Sequence, residues 1–384
     1  MMATTVTTPT ETAIWLALAQ VDVSASVCFR LLHRFGSAQA LWQAGEVELN
    51  TVLQPERLSS FLKARQTVDP LAYLAEVEAQ NIVVLTWQHP KYPARLKEIP
   101  DPPMVLMVKG DVSLLNHPMA LGVVGTRRCT HYGIKVTTQL IEQLAPHQPL
   151  IVSGMAAGID TAAHMAALDN QCPTVAVFGA GLDVIYPARN RALAQRILDQ
   201  GGALVSEYGL GAQPTRFRFP KRNRIVAGLS DGVLVSEAPQ QSGALITARD
   251  ALEANRQVFA VPGSIFSEQS LGANALIGEG AVPATSGHLM ARHLGWCVDP
   301  IADTEAGRLV EQLRLPDNLP DTDYRILKAL GSEPITFDAL SEALADKNPG
   351  EGEAIAAIAL STALTMLELK GMVRSLPGGR YTRT

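Results

Sequence analysis

A chain of 384 residues, 47% hydrophobic and 18% charged, is long enough for two or three packed domains and too apolar to be disordered. Its formal net charge of -5 excludes a uniformly basic nucleic-acid coat but leaves room for a local basic site. Four widely spaced cysteines (Cys28, Cys129, Cys172, Cys297) without a CxxC pair, no signal-peptide pattern and no apolar run of about 18 residues predict a cytoplasmic protein. Neither a metal site, a cofactor nor membrane contact is expected.

From residue 10 to 82 the pattern is helical, in TAIWLALAQ, SVCFRLLHRF, SAQALWQA and DPLAYLAEVEAQ, with Gly36 suited to end the second helix. A proline-studded connection follows, HPKYPARLKEIPDPPMVLMVKGD, which cannot be one continuous helix. Within residues 83–300, the apolar runs ALGVVG, PLIVSGM, TVAVFGAG, ALVSEY, GVLVSEA and QVFAVPG alternate with helical stretches. That alternation predicts an α/β domain with a mainly parallel sheet covered on both faces. Residues 301–320 read as a polar linker. Residues 321–384 read as three helices and a hairpin around a Gly-Gly turn, the pattern of a winged helix.

Ligands of open parallel sheets sit beyond the carboxyl ends of the strands, so the loops there carry the functional information. GTRRCTHYG, SGMAAGID, GAGLDVIYPARN, APQQSGALIT and PGSIFSEQSLGANALI are nearly all Gly-rich, as a backbone needs to be to approach an anion at a helix start. No GxxxxGK[ST] occurs, and GAGLDV has Val184 where a dinucleotide fingerprint needs its third glycine. GxSxG and HExxH are also missing. Ser153, Asp160 and His164 resemble a hydrolytic set, but the simpler reading has Asp160 capping its helix and His164 packing locally. Glu207 and Glu237 stand at strand ends without an evident acid/base partner, and bonding to loop backbone is the expectation for both.

The stretch RFRFPKRNR, residues 216–224, has five basic residues in nine, and no Asp or Glu occurs from Tyr208 to Ser230. Placed on the loop edge, its Arg and Lys residues neutralise phosphates, and Phe217 or Phe219 offers a stacking face. Alternation in RFRFP predicts extended backbone with both arginines on one side and both phenylalanines on the other. The competing reading makes the phenylalanines core anchors and the arginines a solvated fringe. Ser242, Gly243 and Thr247 form another helix-opening cradle, with Ser242 as N-cap.

GVVGTRRCTHYG, IVSGMAAGIDTAAHMAAL, TVAVFGAGLDVIYPARN, FPKRNRIVAGLSDGVLVSEA, SGALITARDALEANR and LGANALI, in this order over about 180 residues, resemble the DNA-processing protein A (DprA, or Smf) family. The resemblance implies an extended Rossmann-like domain that binds single-stranded DNA, a sterile-alpha-motif-like helical domain before it and a winged helix after it. It further implies protection of incoming strands, loading of RecA in natural transformation, a homodimer and no catalytic activity. By motif, the implied DNA contacts are Gly125, Thr126 (commonly Ser in the family) and Arg127, then Ser153 and Gly154. Phe219, Lys221, Arg222, Asn223 and Arg224, and finally Ser242, Gly243 and Thr247, complete them.

Two other functions compete. A nucleotide-binding enzyme or sensor of the Rossmann-like phosphoribohydrolase type would use the same sheet edge. A transcription regulator would use the winged helix, but AIALSTALTMLELK is too apolar for a recognition helix, which leaves protein contact as the expected use of that module.

Overall fold

The computed structural model describes residues 9–21, 25–296, 320–330, 334–344, 357–376 and 379–383. Cys297, the linker expected at 301–320 save its last residue, and Gly378 of the Gly-Gly turn lie outside them. The helical segment is six helices: α1 (Pro9–Leu18), α2 (Ala25–Phe35), α3 (Ala38–Gln43), α4 (Glu46–Asn50), α5 (Pro55–Thr67) and α6 (Pro70–Ala79). Local chemistry sets their ends. Gly36 adopts φ +82° beyond α2, the Ser37 hydroxyl accepts from the Ala40 N–H, and Asp69 accepts from the Leu71 and Ala72 N–H groups ahead of Pro70.

Next come β1 (Ile82–Thr86), the short α7 (Ala94–Lys97) and β2 (Val105–Gly110). The proline-studded connection thus contains a strand, β2, that no alternation announced. Five βα units follow: β3 (Ala120–Val124) and α8 (His131–Leu144), β4 (Leu150–Ser153) and α9 (Ile159–Asp169), β5 (Thr174–Phe178) and α10 (Arg191–Asp199). Then come β6 (Ala203–Ser206) and α11 (Arg218–Gly228), and β7 (Gly232–Val235) and α12 (Gly243–Glu253). β8 (Gln257–Ala260), α13 (Leu271–Gly278), β9 (Val282–Pro283) and α14 (Gly287–His293) end the unit. All six apolar runs are strands, as expected.

The nine strands form one sheet in the order β1-β2-β6-β5-β4-β3-β7-β8-β9. From β6 to β9 all pairs are parallel; β1 and β2 add an antiparallel edge. The chain works outward from β3 to β6 and then returns to the other side of β3 with β7. β3 and β7 therefore flank the topological switch point of a Rossmann-like sheet, where parallel α/β proteins open a crevice.

Side chains alternate between faces along each strand. Val175 and Val177 of β5, with Ala203 and Val205 of β6, join a core with Ile225 and Val226 of α11 and Ala248 of α12. Leu121 and Val123 of β3 point oppositely, to Ile141 of α8 and Ala163 of α9. The remaining half of that second face, Met107, Ala176, Phe178 and Leu204, packs on Trp15, Leu16 and Leu74 of the N-terminal helices. The helices thus share a core with the sheet and belong to the same compact unit, Met1–Val298.

The second unit has α15 (Asp321–Ala329), α16 (Phe337–Leu344) and α17 (Ala357–Leu369), with β10 (Ile335–Thr336), β11 (Val373–Leu376) and β12 (Arg380–Arg383) in the order β10-β12-β11. Leu340, Leu360, Leu364 and Val373 are among its core residues. Among the described residues no helix is long and apolar enough to cross a membrane.

Trp15, 1% exposed, is among the largest side chains in the shared core. Trp15→Ala should cost about 3–5 kcal/mol. If the core is continuous, amide protection in β2 and β6 should fall along with the denaturation midpoint; loss confined to the helices would show that they fold separately.

Candidate nucleic-acid interface

At the switch point lies a cleft of about 690 Å³ between the loops after β3 and β7 and the starts of α11 and α12. Its geometry begins with the loop after β3. The Thr126 N–H donates to the Glu237 carbonyl at 2.7 Å and the Ile159 N–H donates to the Thr126 carbonyl at 3.3 Å, which fixes Gly125–Thr126 between its neighbours. A Cβ on Gly125 would lie within 2.9 Å of both the Ile159 side chain and the Glu237 carbonyl, so only glycine fits. Arg127 leaves this loop exposed at the cleft, its guanidinium 5.1 Å from the centroid of the Phe219 ring. That ring packs in turn on Tyr186 at 5.5 Å. A cation over an aromatic face is thereby held beside open cleft.

The opposite wall is the start of α12. Ser242 caps it as expected, its hydroxyl accepting from the Ala244 N–H at 3.2 Å. Ser242, Gly243 and Ala244 line the cleft at this helix start; the Ser242 N–H donates to the Pro239 carbonyl at 3.0 Å, and the Gly243 N–H has no acceptor among the described residues. Thr247 lies behind them, 1% exposed, and its hydroxyl has no hydrogen-bond partner among the described residues. Asn223 lines the cleft too, its amide donating to the Gly243 carbonyl at 3.3 Å.

The basic stretch is not extended. Backbone from Arg218 onward is helical, and helical phase rather than strand alternation sorts its side chains. Phe219, Arg222 and Asn223 face the cleft. Arg218, Lys221 and Arg224, three residues apart, line a second cleft of about 500 Å³ on the other side of the first turn of α11. Sequence alternation failed here because a Pro at the third helical position is compatible with a helix start, so RFRFP had no need to be extended.

Arg222 is the largest departure from expectation for a phosphate ligand. It is 4% exposed and donates to the Gly154 carbonyl at 2.6 Å and to the Val177 carbonyl, at the ends of β4 and β5. A Cβ on Gly154 would overlap its guanidinium. Ser153 is also buried, donating to the Val123 carbonyl at 2.6 Å, and neither Ser153 nor Gly154 lines the cleft. Arg224 makes a two-pronged ion pair with Glu207 (3.0 and 2.8 Å) and also meets Asp101 at 3.1 Å. Glu207 is therefore bound to a side chain rather than to loop backbone. Glu237 does bind its loop, accepting from the Thr130 N–H and hydroxyl at 2.8 and 2.6 Å.

Asp160 does not cap α9; Gly158 holds that position at φ +82°. The Asp160 carboxylate instead accepts from the Gly154 and Ala156 N–H groups preceding the helix. Burial pushes its carboxyl up, opposed by the Arg222 guanidinium. His164 packs locally as expected, fully buried, with Nδ1 2.7 Å from the Thr174 hydroxyl. That hydroxyl donates to the Ile151 carbonyl, so it accepts from Nδ1–H and leaves Nε2 bare. Arg216, which heads the basic stretch, lines the cleft, and so do Tyr186 and Arg128, which were not singled out from the sequence. Their only sequence signal was position in the same Gly-rich or basic loops.

A switch-point cleft with a cation on an aromatic ring and an open helix start is not confined to one family, and comparison with known proteins narrows it. The family model of DNA recombination-mediator protein A matches residues 83–294. The protein Smf of Synechocystis is 36% identical over 97% of this chain and 99% of its own length. The chain belongs to the DNA recombination-mediator protein A family. Within it, the crystal structure of DNA processing protein A (DprA) from Streptococcus pneumoniae superposes with a TM-score of 0.64 at 38% identity, covering 74% of this chain and 97% of that one. A Helicobacter pylori DprA, solved for its single-stranded DNA binding mode, gives a TM-score of 0.50 at 33% identity, covering 56% of this chain and 95% of its own.

Burial lowers the His164 pKa from 6.5 to about 3, with Arg222 adding to the effect. Between those values the unfolded chain takes up a proton that the native site refuses. This contribution to stability is complete above about pH 6.5 and is lost as pH falls toward about 3. His164→Gln should remove up to about 1.4 kcal/mol per pH unit from the slope of stability in that window, read by urea unfolding at stepped pH. An unchanged slope would mean that His164 is protonated in the native protein.

Proposed function

We propose that the cleft binds single-stranded DNA through its phosphates without reading sequence, and that the protein is a non-catalytic DNA-processing factor in transformation and recombination. The observation that carries this reading is Arg127 stacked on Phe219 opposite the open N-terminus of α12. A phosphate between them meets a guanidinium, the Gly243 N–H and the positive end of the helix dipole, while the aromatic pair gives an unpaired base a surface to stack on. Arg128 and Arg216 extend the positive charge along the rim, so the cleft suits a polyanion better than a single phosphate. The orphan hydroxyl of Thr247 supplies a further polar contact from within. In this reading Gly125, Thr126, Arg127, Phe219, Asn223, Ser242, Gly243 and Thr247 contact the strand; Ser153, Gly154 and Arg222 hold the floor.

Relatives named for DNA processing, one of them solved for its single-stranded DNA binding mode, support the same reading. The nucleotide-enzyme alternative needs a free acid/base pair. Glu207 and Glu237, its candidates, are committed to Arg224 and Thr130. Homodimerisation and delivery of the bound strand to RecA complete the proposal, on the strength of the family resemblance. The C-terminal unit, whose described residues form three helices and a small antiparallel sheet, serves as a winged-helix module for protein contact.

Fluorescence anisotropy with labelled oligo-dT and a matched duplex tests the core of this. The single strand should bind more tightly, and Arg127→Ala should weaken it about tenfold or more while flattening the salt dependence by roughly 0.7 in log–log slope. Equal binding of duplex, or an Arg127→Ala protein that matches wild type, would sink the proposal. Removing residues from Asp321 onward should leave single-strand affinity within about twofold; a large loss would place DNA contacts in the C-terminal unit.

A further inference from the structure

The second cleft has no role so far. It lies between the end of α1, the start of β2, the loop after β6 and the first turn of α11. Three of its lining groups are cationic, and of these Arg224 is held by Glu207 and Asp101. Lys221 is exposed, and Arg218 rests on the Tyr208 ring at 4.9 Å while donating to the Gln213 carbonyl. Its carboxylate, Glu207, is already neutralised by Arg224. At its mouth stands Phe217, 88% exposed. A single exposed Phe is unremarkable on a protein surface. Here, however, it adjoins Lys221, Arg218 and Tyr208 at a cavity, and Phe217, Arg218 and Lys221 lie within one helical turn of Phe219 in the first cleft.

We propose that this second cleft is a distinct subsite for single-stranded nucleic acid, taking the segment of strand that continues across the first turn of α11. The inference rests on the reading of the first cleft given above. Phe217 stacks on a base on the far side of the turn, as Phe219 does on the near side. Lys221 and Arg218 hold the phosphates next to it. The two clefts are separated only by the width of a helix turn, about 10 Å with side chains, a gap that an extended strand bridges with little bending. Pro220, exposed on this turn and lining the first cleft, has no N–H to leave unsatisfied where the strand passes.

Such a path makes affinity depend on strand length in a way that one cleft alone would not. The test is an anisotropy series with labelled oligo-dT from roughly 4 to 16 nucleotides, the range of common single-strand site sizes. Wild type is compared with Phe217→Ala, Phe217→Trp, Lys221→Gln and Arg127→Ala in the full chain. Phe217 and Lys221 are exposed, so folding is not at stake; circular dichroism verifies it.

Phe217→Ala and Lys221→Gln should bind the shortest oligomers like wild type and lose at least fivefold on the longer ones. Phe217→Trp should restore the length dependence, while Arg127→Ala should be weakened at every length. If Phe217→Ala and Lys221→Gln match wild type throughout while Arg127→Ala is impaired, the second subsite is wrong and the first cleft stands. A loss equal at every length would also overturn it, because those residues would then serve the first cleft. Failure of wild type to bind any oligomer would overturn both readings together.

Discussion

The guanidinium of Arg222, enclosed between the ends of β4 and β5, is the constraint on which the rest of the site depends. A buried cation costs several kcal/mol unless its donors are met, and here the Gly154 and Val177 carbonyls meet them with Asp160 nearby. Gly154 lies just beyond β4 and Val177 is the next-to-last residue of β5, so both carbonyls sit at the loop edge of the sheet and need a donor when buried. The same contact that neutralises two strand ends therefore pins the first turn of α11 against the sheet edge. Gly154 makes this possible by having no side chain where the guanidinium lies. Asp160, by accepting from the Gly154 N–H, fixes the orientation of the peptide whose carbonyl Arg222 uses.

Once α11 is fixed in this way, its helical phase decides where every other basic residue goes. Phe219 and Asn223 share the cleft face with Arg222, and Phe219 lands beneath Arg127 of a loop almost a hundred residues earlier in the chain. Lys221 and Arg218 turn to the opposite side. Arg224, one helical position beyond Asn223, reaches Glu207 at the end of β6 and Asp101 before β2. That pair is bidentate and mostly buried, so it anchors the helix laterally as Arg222 anchors it from below.

The sheet was legible because each buried strand had to be an uninterrupted apolar run, and its Gly-rich loops had to follow at the carboxyl ends. The chain order of those runs also placed GTRR, FPKRNR and QQSGA on one edge. Three things were not legible. β2 is paired antiparallel on both sides, between β1 and β6, and a proline-rich segment gives it no periodic signature. The conformation of RFRFP could not be read from five residues, since period 2 and period 3.6 make the same pattern over so short a span. The burial of Arg222 was hidden as well. Four basic residues within seven, from Arg218 to Arg224, look alike until the carbonyls of two distant strands select one of them.

An acidic protein can still present a positive edge, and the pairing pattern shows how. Carboxylates near the strand ends are withdrawn rather than missing. Glu207 and Asp101 are held by Arg224, Glu237 by Thr130, and Asp160 lies buried over backbone N–H groups. Arg127, Arg128, Arg216 and Lys221, in contrast, have no carboxylate partner within ion-pair distance among the described residues. The negative charges are satisfied inside the structure and the positive ones are left for something outside it. Net charge sums over both groups and so conceals the difference. The unpaired charges nearest the cleft weigh most in the field there, and this is why a chain of net charge -5 suits an anionic strand at this edge.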